Sequence, residues 1–262
     1  MIIDFHTHAF PDAIATKTIE YLMDKARLPS FCDGTVSCLR QSSEEAGIDI
    51  SVVLPIATRP GQEKTINKFA CEINNTERIV SFGSVHPKSE NYKEILDNVK
   101  LNGLKGIKFH PDYQGFFIDD EKTYPIIEYA AKLGLIIVFH AGLDLGIRGP
   151  IRCTPLRARK MLHQIGYDKI VLAHMGSHAL SGDVLDILCG ENVYFDTGFT
   201  FGKMPDSHIY DIIKVHGEDK ILFGTDCPWD SQKEDVFYFN SLDIPQEVKD
   251  RILYKNALEL LK

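Results

Sequence analysis

Several polar residues of this chain stand where short apolar runs end, and their types suit a metal. His6 and His8 close the first run, two positions apart. Residues two apart on an extended strand project to one face, so the two imidazoles are placed to chelate one divalent ion. His140 follows Ile136-Ile137-Val138-Phe139. A polar side chain at the end of so apolar a strand needs a partner, and a metal would serve. Asp226 sits in Gly224-Thr225-Asp226-Cys227-Pro228-Trp229, after another apolar run and before a turn. A carboxylate there suits coordination as well as proton abstraction from water. His6, His8, His140 and Asp226 form the expected ligand set. Zinc is the expected ion, and manganese or iron(II) also fit histidine and carboxylate donors. His174, between Ala173 and Met175-Gly176, reads as a further ligand or a neighbouring acid/base.

Other residues are more ambiguous. Lys108 and His110 share one strand parity; Lys108 either binds a substrate anion or, carboxylated, bridges two metals. His110 either lines the pocket or belongs to a His-Pro turn, and His86-Pro87 poses the same choice. Asp4 has the parity of His6 but lies deeper, which suits support of the ligands better than ligation. Arg148 and Trp229 fall in loops after strands and are candidate substrate contacts, with Tyr113, Phe116 and Phe199 as apolar lining. His178 reads as a loop residue. Cys227 is the one thiol expected near the metal.

These residues need a frame that brings strand ends together. Eight short runs rich in Val, Ile, Leu and Phe recur along the chain: 2–6, 50–55, 79–85, 104–109, 135–139, 170–173, 193–195 and 221–223. Such runs look like strands buried on both faces of a parallel sheet. Amphipathic stretches separate them, at 61–74, 89–101, 119–133, 154–165 and 205–215. In the third of these Pro125 stands early and Gly134 marks the stop. Alternating strand and helix with right-handed crossovers, repeated eight times, predicts a single-domain α/β protein: a (β/α)8 TIM barrel over residues 1–262. Residues 24–49 are expected to form an irregular insertion with a helix over the barrel mouth, and 244–262 one or two closing helices. No Gly-rich dinucleotide fingerprint follows any run.

Bulk properties agree with a globular enzyme. Apolar residues make up 44% of the 262 positions and charged residues 25%, enough for a large core. The formal net charge of −8, without a basic block, disfavours nucleic acid or an anionic membrane as partner. No apolar run approaches the ~20 residues a bilayer requires. The opening Met1-Ile2-Ile3-Asp4 lacks the basic region of a secretory leader. The six scattered cysteines read as reduced thiols, and a cytoplasmic protein is the expectation.

The ordered set of motifs resembles the amidohydrolase superfamily over essentially the whole chain. The motifs are His-x-His at residues 6–8, Gly106-Ile107-Lys108-Phe109-His110-Pro111, His140, Ala173-His174-Met175-Gly176, Gly224-Thr225-Asp226-x-Pro228 and Ile252-Leu253-Tyr254-Lys255-Asn256-Ala257. More narrowly it is similar to the amidohydrolase-related branch that includes aminocarboxymuconate-semialdehyde decarboxylase-like enzymes. The resemblance implies metal ligation by His6, His8, His140 and Asp226. It also implies catalysis by His174, one metal with Lys108 unmodified, a small-molecule substrate and frequent homodimers. Two reactions fit: hydrolysis of a small ester, lactone or amide, and non-oxidative decarboxylation of an aromatic or dienyl acid. A TatD-type deoxyribonuclease is a third reading. Lys108 and His110, where such enzymes carry Glu, and the acidic net charge both speak against it.

Overall fold

A computed structural model describes every residue of the chain except residue 77. Among the described residues, nine strands form two parallel sheets: β1 (Ile3–Thr7), β2 (Ile50–Val53) and β3 (Ile79–Ser81) in one, and β4 (Gly83–Ser84), β5 (Gly106–Phe109), β6 (Ile136–Phe139), β7 (Ile170–Leu172), β8 (Tyr194–Asp196) and β9 (Ile221–Leu222) in the other. β3 and β4 are a single run interrupted at Phe82, whose N–H still donates to Val53 O at 2.8–3.0 Å spacing typical of a ladder bond, here 2.9 Å. At the other seam Phe5 N–H donates to Phe223 O (2.8 Å), His8 N–H to Cys227 O (2.7 Å) and Asp226 N–H to His6 O (2.8 Å). These bonds close the ring, so the eight expected runs form a (β/α)8 barrel with the strand ends gathered at one mouth.

Alternation divides the core into two layers. Ile136 and Val138 of β6 join Ile3, Phe5, Val52, Leu54, Phe82, Val171 and Leu222 in one apolar cluster, which fills the barrel. Ile137 and Phe139, one residue out of phase, belong to the larger cluster between the strands and the outer helices. The ladder shifts between Asp4 and Thr7, so strand parity does not run unbroken through β1.

Helices Glu63–Ile73, Tyr92–Leu101, Tyr124–Lys132, Pro155–Ile165 and Asp206–His216 occupy the expected amphipathic stretches. Pro155–Ile165 shows why its start is sharp: Pro155 needs no N–H partner in the first turn, and the Thr154 hydroxyl accepts from Arg157 N–H (3.4 Å). Helices Ala15–Ala26, Ser181–Ile187 and Gln232–Ser241 were not marked by the apolar periodicity, and Gln232–Ser241 buries only Gln232, Asp235 and Phe239. Residues 24–49 comprise the end of the first helix, an irregular stretch 27–35 and helix Val36–Ala46, capped by Thr35, which accepts from Cys38 N–H at 3.1 Å. The irregular stretch reaches the mouth, where Phe31 N–H donates to Pro228 O (2.8 Å). The C-terminal segment runs Gln246–Asp250, a wide turn Arg251–Lys255 and Asn256–Leu260. Asn256 Nδ2 donates to Glu218 O (2.6 Å) and Ile221 O (2.7 Å), and Ala257 and Leu260 enter the barrel cluster. This segment therefore plugs the end where strands begin, opposite the mouth.

One cysteine expectation is corrected: Cys32 and Cys38 are joined as a disulfide, while Cys71, Cys153, Cys189 and Cys227 are free thiols. The six-residue separation carries no sequence signal of pairing. The pair forms because the irregular stretch folds back on the start of helix Val36–Ala46. No helix among the described residues is long and apolar enough to cross a membrane.

Candidate metal centre and active site

The strand ends deliver the expected residues to the mouth in two groups. In the first, His6, His174 and Asp226 bring ligand atoms within 4.8 Å of one another. Asp226 Oδ1 lies 3.3 Å from His6 Nε2 and 3.1 Å from His8 Nε2, so the two histidines of β1 converge on one carboxylate oxygen. In the second, His110, His140 and Asp144 are gathered at the same spacing. A hydrogen bond between His140 Nδ1 and His174 Nε2 (2.9 Å) joins the groups.

Hydrogen-bond partners fix which nitrogen of each ring carries its proton, because a carbonyl or carboxylate oxygen only accepts. His6 Nδ1 donates to Asp196 Oδ2 (2.9 Å), His8 Nδ1 to Leu54 O (3.0 Å) and His174 Nδ1 to Gly198 O (2.8 Å). Each of the three therefore turns Nε2 towards the mouth, and in the neutral rings of His6 and His174 that nitrogen is bare. His140 must then donate through Nδ1 to His174, which leaves its own Nε2 bare, and that atom is buried without a partner. Burial lowers the proton affinity of His6, His110, His140 and His174. It takes His6 and His140 well below the ordinary imidazole range, with the Lys108 charge lowering His6 further and His110 lowering His140; His174 and His110 are also lowered, first by burial.

Asp226 completes the donor set. Burial alone would raise its carboxyl, but His6, His8 and His174 hold it below the usual carboxylate range, so it stays ionised. The result is a pocket of nitrogen and carboxylate donors turned towards one another, His8 Nε2 standing 3.1 Å from Asp226 Oδ1. Such an arrangement is unfavourable unless a cation sits there, and imidazole and carboxylate donors suit zinc or manganese. The cation present is the Lys108 ammonium, 3.2 Å from His6 Nε2. Burial pulls Lys108 down to about 8, against the opposing pull of Asp196 and Asp226.

Backbone geometry at the mouth is strained where it matters. His174, Met175, Phe199 and Asp226 have φ of 61°, 50°, 53° and 68°, left-handed values that cost a non-glycine residue about 1–3 kcal/mol. The surrounding bonds hold them. Asp196 Oδ1 accepts from His174 N–H (3.1 Å) and Gly198 N–H (3.0 Å), and Met175 N–H donates to Asp196 O (2.6 Å). A Cβ at Gly198 would stand 2.9 Å from His6 Nδ1, so only glycine lets this loop approach the ring. Asp4 is no ligand: it accepts from Thr225 N–H (3.0 Å) and Oγ1 (2.6 Å), Gln232 Nε2 (2.8 Å) and His6 N–H (3.2 Å), and so braces β1 against the Asp226 turn. Burial pushes its carboxyl up to about 6.

The remaining candidates separate clearly. Both ring nitrogens of His110 are engaged, Nδ1 accepting from Tyr113 N–H (3.4 Å) and Nε2 facing Asp144 Oδ2 (3.3 Å). Trp229 is half-buried, its N–H on Asp226 O (2.9 Å). Arg148 is exposed in the loop after β6, with no hydrogen bond or ion pair among the described residues. His86 caps a turn: its Nδ1 accepts from Lys88 N–H (3.1 Å) and its N–H donates to buried Glu63 (3.1 Å). Cys227 is buried beside Asp226 with its thiol pushed far up by burial, which makes it packing rather than a nucleophile.

Two residues with site roles were not assigned them from sequence. Asp196 ends a strand like the other site residues, and that position was its signal; its function in orienting His6 needed the structure. Asp144, four residues after His140, looks like any loop aspartate followed by a Gly146 turn. His178, taken as a loop residue, does sit in a loop, but its ring lies 5.4 Å from Phe199 and 6.4 Å from His174 at the mouth.

Comparison with known proteins bears on the fold and the family. No curated protein sequence matches the chain. An uncharacterised TIM-barrel protein of Bordetella bronchiseptica superposes with a TM-score of 0.81 at 16% identity, covering 99% of this chain and 98% of that one. A dihydroxybenzoic acid decarboxylase of a Polaromonas species, solved with manganese and the inhibitor 2-nitroresorcinol, gives 0.73 at 19% identity over 99% and 96% of the two chains. A Pseudomonas putida protein provisionally named a 2-pyrone-4,6-dicarboxylic acid hydrolase gives 0.68 at 13% identity over 99% and 97%. At these identities the likeness establishes the TIM-barrel fold. The amidohydrolase family model matches residues 3–262, nearly the entire length, and the chain belongs to that family.

Proposed function

We propose that the chain is a metal-dependent hydrolase acting on a small ester, lactone or amide, with one divalent ion, zinc or manganese, held by His6, His8, His140 and Asp226. The observation that carries this reading is the convergence of donors: Nε2 of His6, His8 and His174 beside an ionised Asp226. A divalent ion there would supply Lewis acidity, polarising a carbonyl and acidifying water. Asp226, unprotonated and at the mouth, takes the proton of the attacking water. His174, its Nδ1 held by Gly198 O and its Nε2 meeting His140 Nδ1, lies beside Asp226 and returns a proton to the leaving group after receiving it from Asp226. Lys108 stays an unmodified amine and offers an N–H to negative charge developing beside His6. A small-molecule substrate, a cytoplasmic setting and a homodimer go with this reading.

Decarboxylation of an aromatic or dienyl acid is the second reading, supported by the likeness to the manganese-bound dihydroxybenzoic acid decarboxylase. That reaction needs a proton delivered to carbon. At neutral pH His6, His174 and Asp226 are unprotonated, and Lys108 is the charged acid beside them. Water activation therefore suits the ionisation state better. The test is a panel of lactones, esters and amides run beside hydroxybenzoates, with carbon dioxide release and acid release measured on metal-loaded protein. Carbon dioxide from the acids with no hydrolysis of the panel overturns the hydrolytic reading in favour of the second.

A further inference from the structure

Three of the mouth histidines have their rings fixed by a hydrogen bond to a rigid oxygen: Asp196 for His6, Leu54 O for His8 and Gly198 O for His174. Ring orientation of a metal-binding histidine is normally set in this way, by a carboxylate or carbonyl on its second nitrogen. His140 is the exception. Its second nitrogen meets only another histidine, and its Nε2 has no partner. By hydrogen bonding alone the ring is poorly determined.

What holds the ring instead is a stack. His110 lies face to face with His140, ring centroids 4.1 Å apart and planes 8° from parallel. His110 is itself immobilised from every side. Nδ1 accepts from Tyr113 N–H, so Nε2 carries the proton and donates to Asp144 Oδ2 at 3.3 Å; Tyr113 packs edge-on against the ring at 4.5 Å. Asp144 is tied down through its other oxygen, Oδ1, by Gly146 N–H (2.8 Å). The loop that carries Asp144 is anchored in turn. Ala141 O accepts from His178 N–H (3.0 Å) and Leu143 N–H donates to His178 O (3.1 Å), around a Gly142 whose Cβ would fall 2.2 Å from His178 N.

The spacing of His110, His140 and Asp144 invites a reading as a second cation site, but the stack rules it out. An imidazole lone pair lies in the plane of its ring. An ion about 2.1 Å from one nitrogen, in that ring's plane, lies far out of the plane of a parallel ring stacked on it. Two stacked rings cannot both coordinate it.

We infer that Asp144 and His110 are a positioning pair for His140, fixing the plane of that ring by stacking where its neighbours are fixed by hydrogen bonds. This rests on the assignment of His140 to the metal in the proposed function. The experiment titrates Co2+ into the purified, metal-free full chain and follows both affinity and the visible absorption of the bound ion. His110→Ala is expected to weaken Co2+ binding about 10–100-fold and to shift the absorption bands. Asp144→Ala shifts them in the same direction with a smaller loss, and His110→Phe, which restores a flat ring without the hydrogen bonds, recovers most of the affinity. Circular dichroism checks folding, and His110→Phe and Asp144→Ala carry the test should His110→Ala not fold. Wild-type affinity and spectrum in Asp144→Ala, or His110→Phe as weak as His110→Ala, overturns the inference. A wild-type chain that takes up no Co2+ overturns the metal assignment along with it, whereas normal wild-type uptake with indifferent variants overturns the positioning pair alone.

Discussion

The two halves of the mouth solve one problem by different means. On the side of β1, β7 and β9, each polar side chain is locked by a directional bond: His6 on Asp196, His8 on Leu54 O, His174 on Gly198 O, Asp226 among three imidazoles. On the side of β5 and β6, His140 and His110 are held by ring contact, with Asp144 and Tyr113 behind them. Directional bonds select a tautomer as well as an orientation, and so they set which nitrogen faces the ion. A stack constrains the plane and leaves the tautomer to be set by His174. The first half is chemically specified; the second is sterically specified. Removing a group should thus abolish function in the first half and loosen it in the second.

The largest expected effects lie in the first half. His8→Ala and Asp226→Ala should each lose the metal, with turnover falling at least about 10³-fold, since the ion activates the water and Asp226 is also its base. Metal analysis of purified protein checks this, and stoichiometric metal in both variants would sink the site assignment. His174→Asn should keep the metal yet lower kcat by about 10²–10⁴-fold, the range for a general acid/base. Loss of metal instead would make His174 a ligand, which its grouping with His6 and Asp226 allows.

Asp196→Asn comes next and sharpens the comparison directly. An amide placing its NH2 towards His6 Nδ1 would favour the wrong tautomer and strip the proton from that nitrogen. The expected loss is about 10–100-fold in metal affinity. Asp196 receives His174 N–H and Gly198 N–H through its other oxygen, which an asparagine keeps, so the turn at His174 should stay in place in the same variant. If chelator competition shows Asp196→Asn and Asp144→Ala losing equal affinity, the distinction between the two halves falls.

Much of the site was legible in the sequence because barrel topology converts one-dimensional order into a shared position. A polar residue closing an apolar run is at the mouth wherever the run lies in the chain, so His6, His8, Lys108, His140, His174 and Asp226 were identifiable without coordinates. Asp144 was not, since a loop residue four positions past a strand has no fixed direction until the loop is anchored. Here the anchor is a contact between Gly142 and His178, 36 positions apart in sequence. Helix Gln232–Ser241 was missed for a different reason: its buried face is largely Gln232 and Asp235, polar residues that bond or pack behind Asp4 and the Asp226 turn. Apolar periodicity cannot find a helix whose inward face is polar. The disulfide escaped because Cys32 and Cys38 meet only through the irregular path of 27–35.

The smallest expected effect concerns Lys108, which lies between the two halves. Its ammonium contacts His6 Nε2, and burial lowers it to about 8 from the ordinary 10.5. A metal at His6 must displace that charge. Below pH 8 the amine is protonated, so metal uptake releases one proton and apparent affinity climbs with pH, by up to about tenfold per unit. Above pH 8 the amine is already neutral and the slope vanishes. His6 and His140 contribute no slope at neutral pH and above, because burial keeps both rings neutral well below 6.5. Chelator competition between pH 7 and pH 9 should therefore show a bend near 8, and Lys108→Gln should bind metal more tightly at pH 7 with that bend gone. A bend that survives in Lys108→Gln would assign the released proton to another group and remove Lys108 from the electrostatic balance of the site.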